Sequence, residues 1–314
     1  MRYLFILLSL FIVAVAPFFG QIEISLSNIN DIASMDYKLF WDLRLPRVVV
    51  AFFTGALLGL SGLLFQSLFR NPMSTPFTLG VASGATLGTA FAIVFGYISL
   101  VAMFGFFGAI LTIVILFTIT SRLKAYETSS LLLVGIALSF FYSAALMILF
   151  YISDETQSYE IVRFTMGSLD IVGLDHTMPV VIASALLLAL SLKYKREIKL
   201  LLTSYDNAFL KGIEVKKINT ILLISVSIGI GVAVSITGPI GFVGLIVPHI
   251  LKTIYKQSAD KLLFITFFYS GIFLVFCDLI SRNLGTSSDI PIGVITAFLG
   301  GPFFIYLLIR RRRA

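Results

Sequence analysis

"RNPMSTPFTLGVASG", Arg70 to Gly84, decides how this chain is read. An apolar stretch from about Leu45 to Phe69 precedes it, and another follows to about Ile98. A plain membrane hairpin needs neither two prolines nor an Asn, nor glycines four residues apart at Gly80 and Gly84. Irregular backbone at membrane depth survives only where protein or a water-filled cavity satisfies its polar groups. The stretch is therefore expected to lie against protein, inside a bundle built around interrupted helices.

The rest of the sequence agrees with a membrane setting. Of 314 residues 58% are apolar and 12% charged, against about 45–50% and about 25% in soluble domains. Mean hydropathy is +1.02. These values exclude a water-soluble globular domain and predict an all-α, polytopic membrane protein. The single cysteine, Cys277, falls in an apolar run, where it reads as a small buried hydrophobe and allows no internal disulfide. The first residues resemble a secretory signal, but Pro17 follows "AVA" and the apolar run continues through Phe19, so an uncleaved first span is expected.

A helix needs about 20 apolar residues to cross a bilayer. Ten segments qualify, some of them short: 3–19, 45–69, 78–98, 100–120, 129–151, 178–192, 218–237, 240–255, 262–281 and 291–309. With both termini inside, only Lys38, Arg44, Arg47, Arg163 and Arg282 of the 23 basic residues lie outside. The opposite orientation inverts that ratio and breaks the positive-inside rule. The net charge of +7 then reflects a basic inner rim facing anionic headgroups, and no nucleic acid is needed to explain it.

The chain divides into a first span and outer loop (1–44), a first repeat (45–151), connecting spans and cytoplasmic helices (152–217), a second repeat (218–309) and a basic cytoplasmic tail (310–314). A second interruption, "TGPIGFVGLIVPHI" at Thr237–Ile250, stands in the second repeat where Arg70–Gly84 stands in the first. Paired interruptions in two halves of opposite sense indicate an inverted repeat around a transport site.

Three hydrophilic segments are too long to be idle connections. The outer loop 21–43 is expected to hold one short helix, and 153–177 is rich in acidic residues. The cytoplasmic segment 193–217 reads as two short helices with Asp206 or Asn207 as a cap and Gly212 as a bend. Leu200 to Leu202, Phe209 and Leu210 would leave apolar side chains there, either for a partner or against the inner leaflet.

Gly80, Gly84 and Gly88, like Gly55 and Gly59, suit close helix packing or a wide pathway wall. Gly135, Ser139, Ser143 and Met147 form a similar stripe, with Tyr142 beside it, and the serines make a pathway lining more credible. Asp278 and Arg282 are spaced for a local ion pair. In "WDLRLPR", Arg44 and Arg47 either snorkel to outer phosphates or meet acidic groups on something docking from outside. His176 and His249 are too far apart in sequence to form a metal site, and no metal is expected. There is no G-x-x-x-x-G-K-[ST] loop, so ATP must be handled by another chain.

Taken together, "LRLPRVVVAFFTGALLGLSGLLFQSLFRNPMSTPFTLGVASGATLG" (43–88), "GPIGFVGLIVPHI" and "DIPIGVITAFLGGPFFIYLL" resemble the permease family of iron–siderophore, haem and vitamin B12 ABC importers. The resemblance covers almost the whole chain. It implies a vitamin B12 permease-like, type II fold of ten spans in the bacterial cytoplasmic (inner) membrane. It implies pairing with a second permease, identical or paralogous, two cytosolic ATPases that use ATP and Mg, and an extracytoplasmic substrate-binding protein. A ferric siderophore is the expected cargo, with haem or cobalamin as the alternative. An ion-coupled secondary carrier is a weaker alternative, since the membrane carboxylates such a carrier uses are nearly absent. The resemblance further implies docking of the binding protein at Arg44, Arg47 and Arg282. It places ATPase contact at Asn207, Ala208, Phe209, Leu210 and Gly212, and an inner gate at Thr128 and Ser129. Glu127 makes the "KAYETSS" region more polar than the family's pattern.

Overall fold

A computed structural model describes residues 11–25, 27–122, 128–203, 210–284 and 289–311. Helix is the only regular structure among them. In chain order the helices are α1 (Leu45–Leu68), α2 (Val81–Val94), α3 (Val101–Arg122), α4 (Thr128–Ile152), α5 (Glu155–Thr165) and α6 (Met178–Lys193). They continue as α7 (Lys195–Thr203), α8 (Val215–Thr237), α9 (Val243–Tyr255), α10 (Ala259–Leu284) and α11 (Ile292–Arg311).

Six of the described helices are long and apolar enough to cross a membrane: Met35–Leu68 (which contains α1), Ile98–Ile119, Ser130–Ile152, Asp175–Lys193, α8 and α10. Shorter apolar helices at Val81–Val94, Val243–Tyr255 and Ile292–Ile305 occupy three further expected spans. Most of the expected first span lies outside the described residues; its end is a 3-10 turn at Ala16–Phe18. α2 has 14 residues and α9 has 13, so each rises only about 20 Å. Neither crosses a hydrocarbon core of about 30 Å alone. Each follows one of the two interruptions, one in either repeat.

Pairing of elements shows the repeat. α1 packs on α10 as α8 packs on α3, and α1 touches α9 as α8 touches α2. Within each half the second helix packs on the third and fourth: α2 on α3 and α4, α9 on α10 and α11. Exchanging α1–α4 with α8–α11 leaves this list unchanged. The two halves also run in opposite sense. α1 begins at the face where Arg47 meets Asp278 and Asp289, whereas α8 ends there, its Thr237 carbonyl accepting the Ser168 N–H at 2.8 Å.

α1 is the central post, buried from Ala56 through Leu64 without a gap. Glycines let its backbone approach its neighbours: Gly62 lies directly against Gly244 of α9, with no room for a Cβ on either. Gln66 reinforces this crossing by donating to the Gly244 carbonyl at 3.1 Å and accepting from the Lys252 ammonium at 3.0 Å.

The polar backbone of Arg70–Gly84 is satisfied by protein. Asn71 Oδ1 accepts from the Met73 N–H at 3.0 Å, the Thr78 hydroxyl donates to the Thr75 carbonyl at 2.6 Å, and Gly80 N–H donates to the Phe77 carbonyl at 3.1 Å. Gly80 has φ +76°, a left-handed conformation that ends the 3-10 turn Pro76–Leu79 and lets α2 start in a new direction. α2 thus begins at Val81, three residues later than the sequence suggested. Arg70 reaches out of the stretch to the Leu201 carbonyl in α7 at 2.8 Å.

Two outer segments differ from expectation. The short helix in 21–43 does not stand apart. A turn at Met35–Tyr37 and a π-helical segment at Lys38–Arg44 run straight into α1. In 153–177 an amphipathic helix, α5, forms behind a capping box in which Asp154 accepts from the Gln157 N–H at 2.8 Å.

Candidate functional site

Polar groups gather at the face where α1 begins. Arg47 sits in the first turn of α1, directly after Pro46, where the π-helical segment passes into it. Its Nε donates to Asp278 at 2.8 Å, and its Nη1 meets Asp170 at 2.6 Å and Asp289 at 2.5 Å. Arg163 at the end of α5 holds the other Asp170 oxygen at 2.8 Å. Arg282 approaches Asp278 Oδ2 at 3.0 Å, the expected contact one helical turn on, without the alignment of a hydrogen bond. One knot therefore joins the start of α1, the end of α10, the turn before α11 and the outer segment after α5. Charge balance keeps it stable: three guanidiniums face three carboxylates, and only Asp278 is fully enclosed.

Desolvation alone would raise the Asp170 pKa. The Arg47 charge and the hydrogen bond from Arg163 outweigh it and hold this carboxyl below the usual aspartate range.

Above the knot lies an outer cavity of about 520 Å³. Arg47, Asp170 and Asp289 lie at its polar side, with Arg163, Tyr159 and Met166 around its mouth. Asp170 and Asp289 remain 38% and 31% exposed, against 0% for Asp278, so the cavity reaches two of the three acceptors.

The three arginines expected to meet a binding protein are largely covered in this structure. Arg44 and Arg282 are 7% and 5% exposed, and Arg47 is largely covered by its three aspartates. Arg44 donates to the carbonyls of Phe18 and Ile22, and Arg282 to those of Phe19 and Ala16 at 3.3 Å. The reason is local: residues 16–22 cross over the ends of α1 and α10, and their carbonyls need donors. Asp170, Asp289 and Arg163 are the partners that the sequence left unassigned. The available signal was the acidic bias of 153–177, because no spacing rule links residues 123 and 242 positions away from Arg47.

On the opposite face, α7 packs on α1 and α10. Ile198 and Leu201 are buried and Leu200 is half-buried, which corrects the expectation of exposed apolar side chains at Leu200 and Leu201; the side chain of Leu202 lies outside the described residues. Their hydrophobic stripe turns inward and the basic residues Lys195, Arg196 and Lys199 turn out, while Glu197 is half-buried. Leu210 is 80% exposed, and Gly212 adopts φ +77° at the expected bend. Asn207, Ala208 and Phe209 lie outside the described residues, as do the side chains of Thr128 and Ser129, which open α4.

The expected pathway stripe on α4 splits in two. Ser143 and Met147 are exposed together with Phe140 and Tyr151. Ser139 is half-buried and bonds the Gly135 carbonyl, whereas Tyr142 is buried and accepts from the Thr112 hydroxyl of α3 at 3.0 Å. Tyr142 lies about 100° around the helix from Ser143, so it belongs to the packed side and not to the open one.

Among the described residues this arrangement offers paired charges beside an open cavity, which can bind a polar group. Comparisons with known proteins agree with that picture. Residues 4–310 match the model of the FecCD transport family. The vitamin B12 import system permease protein BtuC of Vibrio vulnificus is 34% identical over 99% of this chain and 95% of its own length. The hemin transport system permease protein HmuU of Yersinia pestis is 33% identical over 93% and 90%. A probable iron chelatin transport system permease protein of Helicobacter pylori is 34% identical over 86% and 82%. Among solved structures, an inward-facing metal-chelate type ABC transporter superposes with TM-score 0.84 at 27% identity, covering 96% of this chain and 97% of that one. PsaBC from Streptococcus pneumoniae shares the fold at TM-score 0.62 and 16% identity. With sequence and helix arrangement matched over nearly the full length, this multi-pass membrane chain belongs to the FecCD transport family.

Proposed function

We propose that this chain is the permease subunit of an ATP-driven importer and carries a ferric siderophore between itself and a second permease. A substrate-binding protein delivers the cargo to the face bearing the Arg47 knot. Two ATPase subunits act on the opposite face, where α7 and the Leu210–Gly212 bend meet them. One observation carries the reading: two inverted halves meet at α1, and each is interrupted at corresponding depth, so one half can rock on the other. The open side of α4 presents Phe140, Ser143, Met147 and Tyr151, uncharged groups that would hold a bulky chelate weakly and release it. ATP binding by the partners favours one arrangement of the halves over the other, so the two ends open in turn. The gate at Thr128 and Ser129 closes the inner end.

The B12 permease BtuC of Vibrio vulnificus matches 99% of this chain, and this supports cobalamin as the second reading. The deciding experiment reconstitutes the full complex in proteoliposomes with binding protein outside and ATP inside. Uptake of radiolabelled ferric siderophore, haem and cobalamin is compared. Siderophore accumulation that stops when the ATPase nucleotide site is mutated is the expected result. Preferential cobalamin or haem uptake would replace the cargo, and uphill uptake without the ATPases would overturn the importer itself.

A further inference from the structure

α6 packs on α8, and a groove of about 720 Å³ runs between them at the surface. Both helices are long and apolar enough to span, so the groove opens sideways at the depth of the hydrocarbon core. Ile182 and Leu186 of α6 stand 55% and 65% exposed along one wall. Ser225 and Gly229 of α8 leave the other wall low. The missing side chain of Gly229 serves α1, since a Cβ there would already touch the Leu57 side chain at 3.3 Å. It is therefore no seat for a further helix. The dimensions agree. Met178 to Leu190 rise about 18 Å, which makes the groove roughly 6–7 Å across, against about 10–12 Å for a helix with its side chains. Its length is close to the hydrocarbon thickness of one leaflet, about 15 Å.

The outer end carries charge. Asp175, in the turn before α6, closes the groove there and is exposed. Asp42 is exposed nearby, its carbonyl accepting the Gly173 N–H at 2.8 Å. Among the described residues neither carboxylate enters an ion pair. An apolar slot one chain wide, topped by two uncompensated negative charges, calls for an apolar tail under a cationic head. We propose that the groove holds an acyl chain of an aminophospholipid from the outer leaflet, with the headgroup ammonium at Asp175. Phosphatidylethanolamine brings N–H donors to that carboxylate. Phosphatidylglycerol would set like charges side by side. The bound chain fills the seam between α6, which connects the repeats, and α8, which opens the second one, so the lipid braces that joint. The site depends on the membrane setting and not on the cargo.

The test places the complete permease–ATPase complex in nanodiscs of phosphatidylethanolamine or phosphatidylglycerol carrying a diazirine on the acyl chain. After illumination, labelled peptides are mapped by mass spectrometry. Labelling of residues 178–190 and 225–232 by the ethanolamine lipid is expected to exceed that by the glycerol lipid about threefold, the scale of an exposed ion pair, and the excess should shrink as salt rises. Asp175→Lys, at an exposed position, is expected to reverse the preference. Ser225→Phe puts a ring into the groove and should remove labelling there while other lipid-facing helices keep theirs. Size-exclusion chromatography shows which variants remain folded, and Asp175→Lys alone decides should Ser225→Phe fail to fold. Equal labelling by the two lipids in the wild type, or an unreversed preference in folded Asp175→Lys, overturns the proposal. So does undiminished groove labelling in folded Ser225→Phe. A disulfide from Ile182→Cys to another chain in native membranes would overturn it too, by making this face a protein interface.

Discussion

Asp278 is fully enclosed between Arg47 and Arg282, on a helix whose sequence showed only the i, i+4 half of that arrangement. Removing its charge takes away the one carboxylate that both guanidiniums share in the interior. Losing one member of a buried pair costs about 3–5 kcal/mol. Asp278→Asn is therefore expected to lower the thermal midpoint of the detergent-solubilised protein by several degrees, and Arg163→Gln to leave it nearly unchanged; fluorescence-detected thermal unfolding separates them. Asp170 gives the pH counterpart. Its folded pKa is depressed, so its contribution is complete at neutral pH and is lost as pH falls through that depressed value, below the ordinary aspartate value of about 3.9. Outer-face contacts should hold from pH 5 to 8 and loosen only in strong acid. Faster hydrogen exchange at residues 166–170 below pH 4, absent in Asp170→Asn, would show it.

Among elements, the crossing of α1 and α9 is set by two glycines in direct backbone contact. Gly244→Leu has no room on either side and should abolish the folded permease, seen as loss of the monodisperse peak in size-exclusion chromatography. Arg70→Ala acts differently. It frees the Leu201 carbonyl that ties the first interruption to α7, so expression should persist. ATP hydrolysis by the assembled complex should continue while uptake per ATP falls severalfold. The sequence revealed these elements unevenly. Helix periods and the two prolines of Arg70–Gly84 were enough to locate both interruptions, because Pro and Gly act on their own backbone. The inward turn of Leu201 and of Tyr142 depended on what lay across from them, which no local pattern encodes. The capping box at Asp154–Gln157 was legible, but acidic loop composition masked the helix behind it.

At the scale of the molecule, the two faces carry opposite charge. On the face of the Arg47 knot, Glu23, Asp42, Asp154 and Glu155 are exposed, whereas Lys195, Lys199, Lys217 and Lys261 are exposed on the face of α7. That asymmetry was readable from composition because the positive-inside rule needs only residue counts. The knot was not, since it joins positions scattered over three segments. A membrane-impermeant maleimide should label Glu155→Cys in intact spheroplasts and Lys217→Cys only after lysis. Cys277, buried at 0% exposure, gives no background signal.

The segment at residues 16–22 lends its carbonyls to Arg44 and Arg282, two cations otherwise sealed beneath it. It works as a stopper in a pair of sockets. Lift it, and the rim gains two uncovered positive charges at once, enough to change what the protein attracts from a distance.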